Sequence, residues 1–516
     1  MRKKLHFIAF IGLLAISVAG YSQRYLTETF SSVTVTPNVV YGNNISILTG
    51  SPVASNLLMD VYQPTGDVLT ARPLVIVLHT GNFLPAIANG APTGSRKDSA
   101  VVEMCTKFAK RGYVAVAASY RQGWNPISTS QDVRTGTLLN AVYRAIQDAK
   151  NCVRFFKNDA SLATPVYKID STKIAVGGLG SGGYVAIACA TLNKTSEILM
   201  TKFTDFSQTP PVPYVNQTLS GNFDGTNTTP LNTPNYAAHT SSINVVFNVG
   251  GAIGDTTWLE AGEVPMISLH TYKDPFAPYK TGAVVVPTTG DFVVTASGSY
   301  DVQRKAEQLG NNAIFTNSYF NDPYSVHANT VNNGYKNLFP FITPAPGAAL
   351  VCGAQVEQGS PWDFWDQATF IAQYNAYTST TNGAGANCKQ LLSNPDMTPA
   401  KGKTYIDTIQ GFVNPRLVCA LGLAGCVPNS VAENENNAAV SIYPNPTNAD
   451  FTISLAGVHT IQQVKLYDVT GRLVKTVSGL NTQTFTMNTS ELHSGVYFSR
   501  VQLNNKTEIT KKVILK

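Results

Sequence analysis

Two stretches of the chain hold residue types suited to nucleophilic chemistry. The first is Gly177-Gly178-Leu179-Gly180-Ser181-Gly182-Gly183, between a strand-like apolar run at 174–176 and a helix-like apolar run at 184–192. A strand-to-helix turn crowded with glycine is the setting of a nucleophile elbow, G-x-S-x-G, where the turn is strained and neighbouring backbones leave no room for side chains. The second stretch is His79-Thr80-Gly81-Asn82, after the apolar run 73–78. It stands where a loop would supply an oxyanion-binding amide. Further along come Asp274, in His270-Thr271-Tyr272-Lys273-Asp274, and His327, in Ser325-Val326-His327-Ala328. Elbow, acid, base is the chain order such sites use. The chemistry would be acyl transfer: Ser181 as nucleophile, His327 as general base and Asp274 as its orienter, with amides near Gly81 and Gly182 facing the oxyanion.

Each residue also has a plainer reading. His79 suits loop ordering, His270 a structural strand end, and Asp274 with His327 a bond between two loops. Trp362 and Trp365 suit either a sugar-stacking platform or core packing. Asn222-Phe223-Asp224-Gly225 has the outline of a calcium loop without its remaining acidic ligands. No C-x-x-C or H-E-x-x-H spacing is present, so no metal or cofactor is expected.

The elements that must position these residues alternate strand and helix. Strands are expected at 57–62, 73–78, 113–118, 174–176, 265–269 and 313–319, and helices at 99–110, 138–157, 184–192 and 404–413. Such alternation predicts a mostly parallel sheet with helices on both faces, its ligand site beyond the C-terminal strand ends. The runs at 73–78, 113–118, 174–176 and 265–269 are expected to be neighbouring parallel strands. A segment rich in Pro, Thr and Asn, 201–242, interrupts the rhythm and is a candidate lid. A polar linker, 429–437, divides this body (23–428) from a region at 438–516 that reads as short strands with turns between them, a small all-β sandwich.

Composition narrows the class further. The chain has 516 residues, 43% hydrophobic and only 13% charged, with a net charge of +6. That supports a sizeable core. The thinly spread charge, with no Lys/Arg cluster among aromatics, argues against nucleic-acid binding. Residues 1–22 read as a secretory signal peptide: Arg2, Lys3 and Lys4, an apolar run at 7–18, then small residues. Beyond it no apolar run is long enough to span a membrane. The seven cysteines suit an oxidising compartment, with Cys352/Cys388 and Cys419/Cys426 as candidate pairs and Cys105, Cys152 and Cys189 as buried thiols.

With these residues in view, 23–428 resembles the α/β-hydrolase fold, in the secreted carboxylesterase and feruloyl-esterase-like branch. The resemblance rests on the elbow, on Tyr143-Arg144-Ala145-Ile146-Gln147-Asp148-Ala149 through Arg154-Phe155-Phe156, and on Asp274-Pro275 after its strand. It implies a carboxylic ester hydrolase needing no cofactor, acting on an ester-bearing or polysaccharide substrate. The branch reads I-x-V-G-G-x-S-A-G-G, which places Gly180 at the nucleophile position and Ser181 one residue later. A slipped turn would put Ser181 at the tip, with Leu179 where a small residue belongs. An active hydrolase using Ser181, a binding protein on an inactivated scaffold, and a His327-activated water all remain open. Residues 438–516 resemble the type A sorting domain of type IX secretion, through Tyr443-Pro444-Asn445-Pro446, Tyr467-Asp468, Gly471, Gly495-Val496-Tyr497 and the basic C-terminus. That resemblance implies export through the periplasm, the type IX machinery as partner, and a secreted or cell-surface destination.

Overall fold

The computed structural model describes residues 24–286, 289–427, 440–457, 459–505 and 508–516; the expected leader at 1–22 and linker at 429–437 lie outside them. The chain divides into two units, Met1–Pro428 and Asn429–Lys516.

The first unit is built on β1 (Val33–Ser46), β2 (Val53–Pro64), β3 (Arg72–Leu78), β4 (Val114–Ala118), β5 (Ile169–Leu179), β6 (Val245–Val249), β7 (Met266–Thr271) and β8 (Leu338–Phe341). Their order across the sheet is β1-β2-β4-β3-β5-β6-β7-β8. β2 runs antiparallel to both its neighbours, and every pairing from β4 to β8 is parallel. Every residue of β3, β4, β6, β7 and β8 is buried, as their near-continuous apolar runs require. Alternation divides them between two cores: Leu74, Ile76 and Leu78 face one side, Val75 and Val77 the other.

Helices α1 (Ser99–Lys110), α2 (Gln131–Ala160), α3 (Ser181–Thr191), α4 (Pro323–Val331) and α5 (Pro399–Ala420) cover the sheet. α2 and α3 pack on the first face, α1 and α5 on the second. In α1 the buried residues Val101, Met104, Cys105 and Phe108 recur at the three- and four-residue spacing that makes one apolar stripe.

Two elements differ from expectation. Residues 313–319 form no strand; Ala313–Thr316 is a single helical turn that buries only Phe315, and a short apolar run of this kind fits either period. The strands at 174–176 and 265–269 share the sheet but are not adjacent, because β6 lies between them. The segment 201–242 straps α2 and β1: Gln147 donates to the carbonyls of Ser220 and Asn222, Arg154 to that of Asn235, and Asn44 to Asn232. Asp224 pairs with Lys150 at 3.0 Å. Disulfides join Cys352 to Cys388 and Cys419 to Cys426, and Cys105, Cys152 and Cys189 are buried thiols.

The loop after β4 is fixed by an ion pair inside the first core. Arg121 meets Asp148 of α2 through its backbone N–H (2.7 Å) and its guanidinium (2.9 Å), with both side chains almost wholly buried. The remaining guanidinium donors reach the carbonyls of Ile45, Leu231 and Arg144, so one side chain ties β1, α2 and the strap together.

The second unit comprises β9 (Val440–Tyr443), β10 (Asp450–Leu455), β11 (Ile461–Asp468), β12 (Leu473–Thr482), β13 (Thr484–Asn488), β14 (Gly495–Leu503) and β15 (Glu508–Leu515). They form two antiparallel sheets, β9-β10-β13 and β12-β11-β14-β15. Phe451, Ile453, Val464, Leu466, Val501 and Val513 share the core, so the unit is a β-sandwich. Asn445 of the Tyr443-Pro444-Asn445-Pro446 stretch donates to the Lys512 carbonyl and accepts from Ile514 N–H, which binds this motif to the last strand.

Removing Asp148 strands a buried guanidinium, so Asp148→Ala should lower unfolding stability by about 3–5 kcal/mol. Guanidinium denaturation measures it, and a loss below about 1 kcal/mol, typical of exposed pairs, would show that the pair does not anchor the loop.

Candidate functional site

The turn between β5 and α3 keeps its ordinary register. Gly180 sits at its tip with φ +50° and ψ −118°, a conformation that costs glycine little and other residues much. Its N–H donates to the Val249 carbonyl at 2.8 Å, tying the tip to the end of β6. The flanking small residues are Gly178 and Gly182. A Cβ on Gly178 would stand 2.2 Å from the Gly182 carbonyl carbon, and one on Gly182 2.3 Å from the Leu78 carbonyl oxygen. Ser181 is the first residue of α3, not the tip of the turn.

Ser181 is buried and its Oγ is already engaged. The Tyr120 hydroxyl donates to the His79 carbonyl (2.9 Å), so at 3.1 Å it accepts from Ser181 Oγ. Burial pushes the Tyr120 phenol well up, so it does not serve as a base. His79 stacks on Tyr120 with ring centroids 4.4 Å apart and holds Nδ1 2.5 Å from the Thr80 carbonyl. Burial lowers its pKa to about 4. It is a neutral, loop-ordering residue.

A cavity of about 230 Å³ opens beside the turn, beyond the C-terminal ends of the strands. Gly180, Ser181 and Asp274 all line it. Gly81 and Gly182 do not; their neighbours Thr80, Asn82 and Ser181 do. A Cβ on Gly180 would lie 2.2 Å from Thr80 Oγ1, so Thr80 occupies the space beside the glycine. Asp274 Oδ1 accepts from the N–H groups of Phe276 and Ala277, and Oδ2 lies 3.6 Å from His270 Nε2. His270 is fully buried and held by Ser299 and the Ala277 carbonyl.

The structure does not bring His327 to this cavity. It is an exposed residue of α4, in a surface groove with Tyr324, Phe339, Phe341 and Tyr405. The reason is topological: α4 precedes β8, whereas the loops that build the cavity follow their strands. The chain after β8 supplies Ser360, Asp363 and Trp365 to the wall, and the sequence has no histidine from 328 to 458. Among the described residues no histidine, lysine or arginine lines the cavity. Of 201–242, the expected lid, only Phe203 lines the cavity.

Sequence reading missed Asp363, Thr80 and Tyr120. Asp363 is 9% exposed, and its Oδ1 has no hydrogen-bond partner. Burial raises its carboxyl pKa to about 7. Nearby, Asp98 accepts from the N–H groups of Gly94 and Ser95, while burial and then the Asp363 charge push its pKa well up. The adjacent tryptophans divide: Trp362 is core, packed on Phe341, while Trp365 lines the cavity and donates to Asn387. Among the described residues no group of three or more His, Cys, Asp or Glu side chains is placed to hold a metal ion.

The strand order, the helices on both faces and the glycine turn define an α/β-hydrolase body. Residues 59–285 match the family described as BD-FAE, and residues 441–516 match the secretion system C-terminal sorting domain. No curated protein matches the chain. Among solved structures it is similar to propionate-bound esterase 2 of Thermogutta terrifontis (16% identity, 71% of this chain and 97% of that one, TM-score 0.32). The same esterase phosphorylated by paraoxon gives 18% identity over 48% and 74%, TM-score 0.28. A truncated carbohydrate esterase from gut microbiota gives 15% over 55% and 86%, TM-score 0.30. The chain carries an esterase-like α/β-hydrolase domain and a type IX C-terminal sorting domain. It is a type IX cargo protein, secreted or held at the cell surface. Among the described residues no helix is long and apolar enough to cross a membrane.

The buried Asp363 makes a signed prediction about stability. Its raised pKa means that the folded protein keeps a proton the unfolded chain releases near pH 4, so stability is lost as pH rises from there through about 7. Asp363→Asn should therefore be more stable than the parent at pH 8, by up to about 4 kcal/mol, with the gap closing towards pH 4. Denaturant titrations at the two pH values measure it, and a gap that does not grow with pH would refute the assignment.

Proposed function

We propose that this cargo protein is a non-catalytic binding protein, which holds a small, mainly apolar ligand in the cavity where a hydrolase would process its acyl group. One observation carries the reading: the cavity wall has a glycine at the elbow tip and, among the described residues, no imidazole. An acyl-enzyme route needs an activated nucleophile with a base in reach. Ser181 is one residue off the tip, and its hydroxyl donates to the protonated Tyr120 phenol. Asp274, the orienter expected for a triad, faces two backbone N–H groups and a buried His270 instead of a catalytic histidine. What favours binding is the retained cavity itself, walled by Phe83, Trp124, Leu139, Phe203 and Trp258, a concave apolar site with a few polar groups.

The protein should be inert towards p-nitrophenyl esters, and an organophosphonate should leave Ser181 unlabelled. Gly180→Ser, alone or with Thr80→Gly to clear its Cβ, should stay inert because no base stands beside it. Tryptophan fluorescence should report binding of 2-phenylethanol, weakened about tenfold or more by Leu139→Trp, which fills the cavity. Phosphonate labelling of Ser181, or ester hydrolysis abolished by Ser181→Ala, would overturn this reading in favour of a serine hydrolase.

Export gives a separate test. Deleting residues 440–516 should leave the first unit folded and retained in the periplasm; normal delivery of the truncated chain, read by cell fractionation, would contradict a sorting role.

A further inference from the structure

The cavity wall has a charge sign that the chain as a whole does not. The sequence carries 37 Lys and Arg against 31 Asp and Glu. Yet the charged residues lining the cavity are Asp274 and Asp363, with no lysine, arginine or histidine among the described residues there. Asp274 has one oxygen satisfied by two backbone N–H groups. Asp363 has no such support: it is nine-tenths buried, and its Oδ1 has no partner. A buried carboxyl without a partner costs folding free energy, and a ligand cation meeting the accessible edge of this carboxyl would recover part of that cost. The lining also includes Trp124, Trp365, Phe83 and Phe276, residue types whose rings attract cations and whose area suits an apolar body.

We infer that the cavity selects a small primary amine with an apolar, aryl-sized body, its ammonium group paired with Asp363 and its body against the aromatic wall. This rests on the binding-protein reading and adds the charge of the ligand to it. A carboxylate, the product an esterase would release, would bring a further negative group into a site already holding two and is selected against.

The test is isothermal titration calorimetry of the full chain at pH 8 with three probes of matched size: 2-phenylethylamine, 2-phenylethanol and phenylacetate. The amine should bind about tenfold or more tighter than the alcohol, as expected for a charge-assisted bond to a desolvated carboxyl, and phenylacetate weakest. Asp363→Asn should bring the amine down to the alcohol's affinity, with circular dichroism confirming the fold. The ranking of the three probes on the unaltered protein decides the matter even if that variant does not fold. An amine no tighter than the alcohol, or phenylacetate the tightest, overturns the charge selection and leaves apolar binding standing. Failure of all three to bind counts against both.

Discussion

The structure depends on how closely α3 approaches the ends of β3 and β5. The helix starts directly from the strand through a left-handed residue, and its first turn lies against the Leu78 carbonyl with no space for a side chain at Gly178 or Gly182. That contact sets the position of α3 in the first core and fixes the loop after β3, with His79, Thr80 and Asn82, beside the turn. The same constraint decides the chemistry. In this turn only the tip residue projects freely into the cavity, and here the tip is Gly180. Ser181, one step on, is turned into the helix and towards Tyr120.

The glycine at the tip is matched by other features around the site. Thr80 lies where a Cβ on Gly180 would have to pass. His79 is neutral and stacked, and Tyr120 spends its proton on a backbone carbonyl. After β8 the wall receives a carboxyl and an indole and, among the described residues, no imidazole. Together they leave a well-packed floor and a cavity whose unsatisfied polar demand sits at Asp363. That carboxyl stands on the segment that follows β8.

Much of the fold was legible because burial on both faces leaves a mark in the residues themselves. The runs of β3 and β4 can be read as parallel strands, and Ser99–Lys110 as a helix, from period alone. β6 escaped notice because its five residues follow the long polar strap. Residues 313–319 were mistaken for a strand because four apolar-leaning residues fit either period. At the site, the glycine pattern located the turn, while Leu179 argued for the register that the geometry adopts. His327 was misleading for a different reason. Chain order cannot tell whether a residue precedes or follows the last strand, and that difference separates a surface groove from the cavity. Asp363 left no local signal at all, since its isolation comes from the packing of segments distant in sequence.

A sorting domain makes no demand on the chemistry of what it delivers. It needs only a cargo that folds and travels, and the two units have separate cores. The hydrolase body could therefore lose its catalytic groups one by one without affecting export, provided the sheet, the elbow packing and the Arg121–Asp148 anchor were kept. Those three features are intact here. On the binding-protein reading proposed above, a scaffold that keeps its cavity and its route to the cell surface has kept what capture of a ligand outside the cell requires.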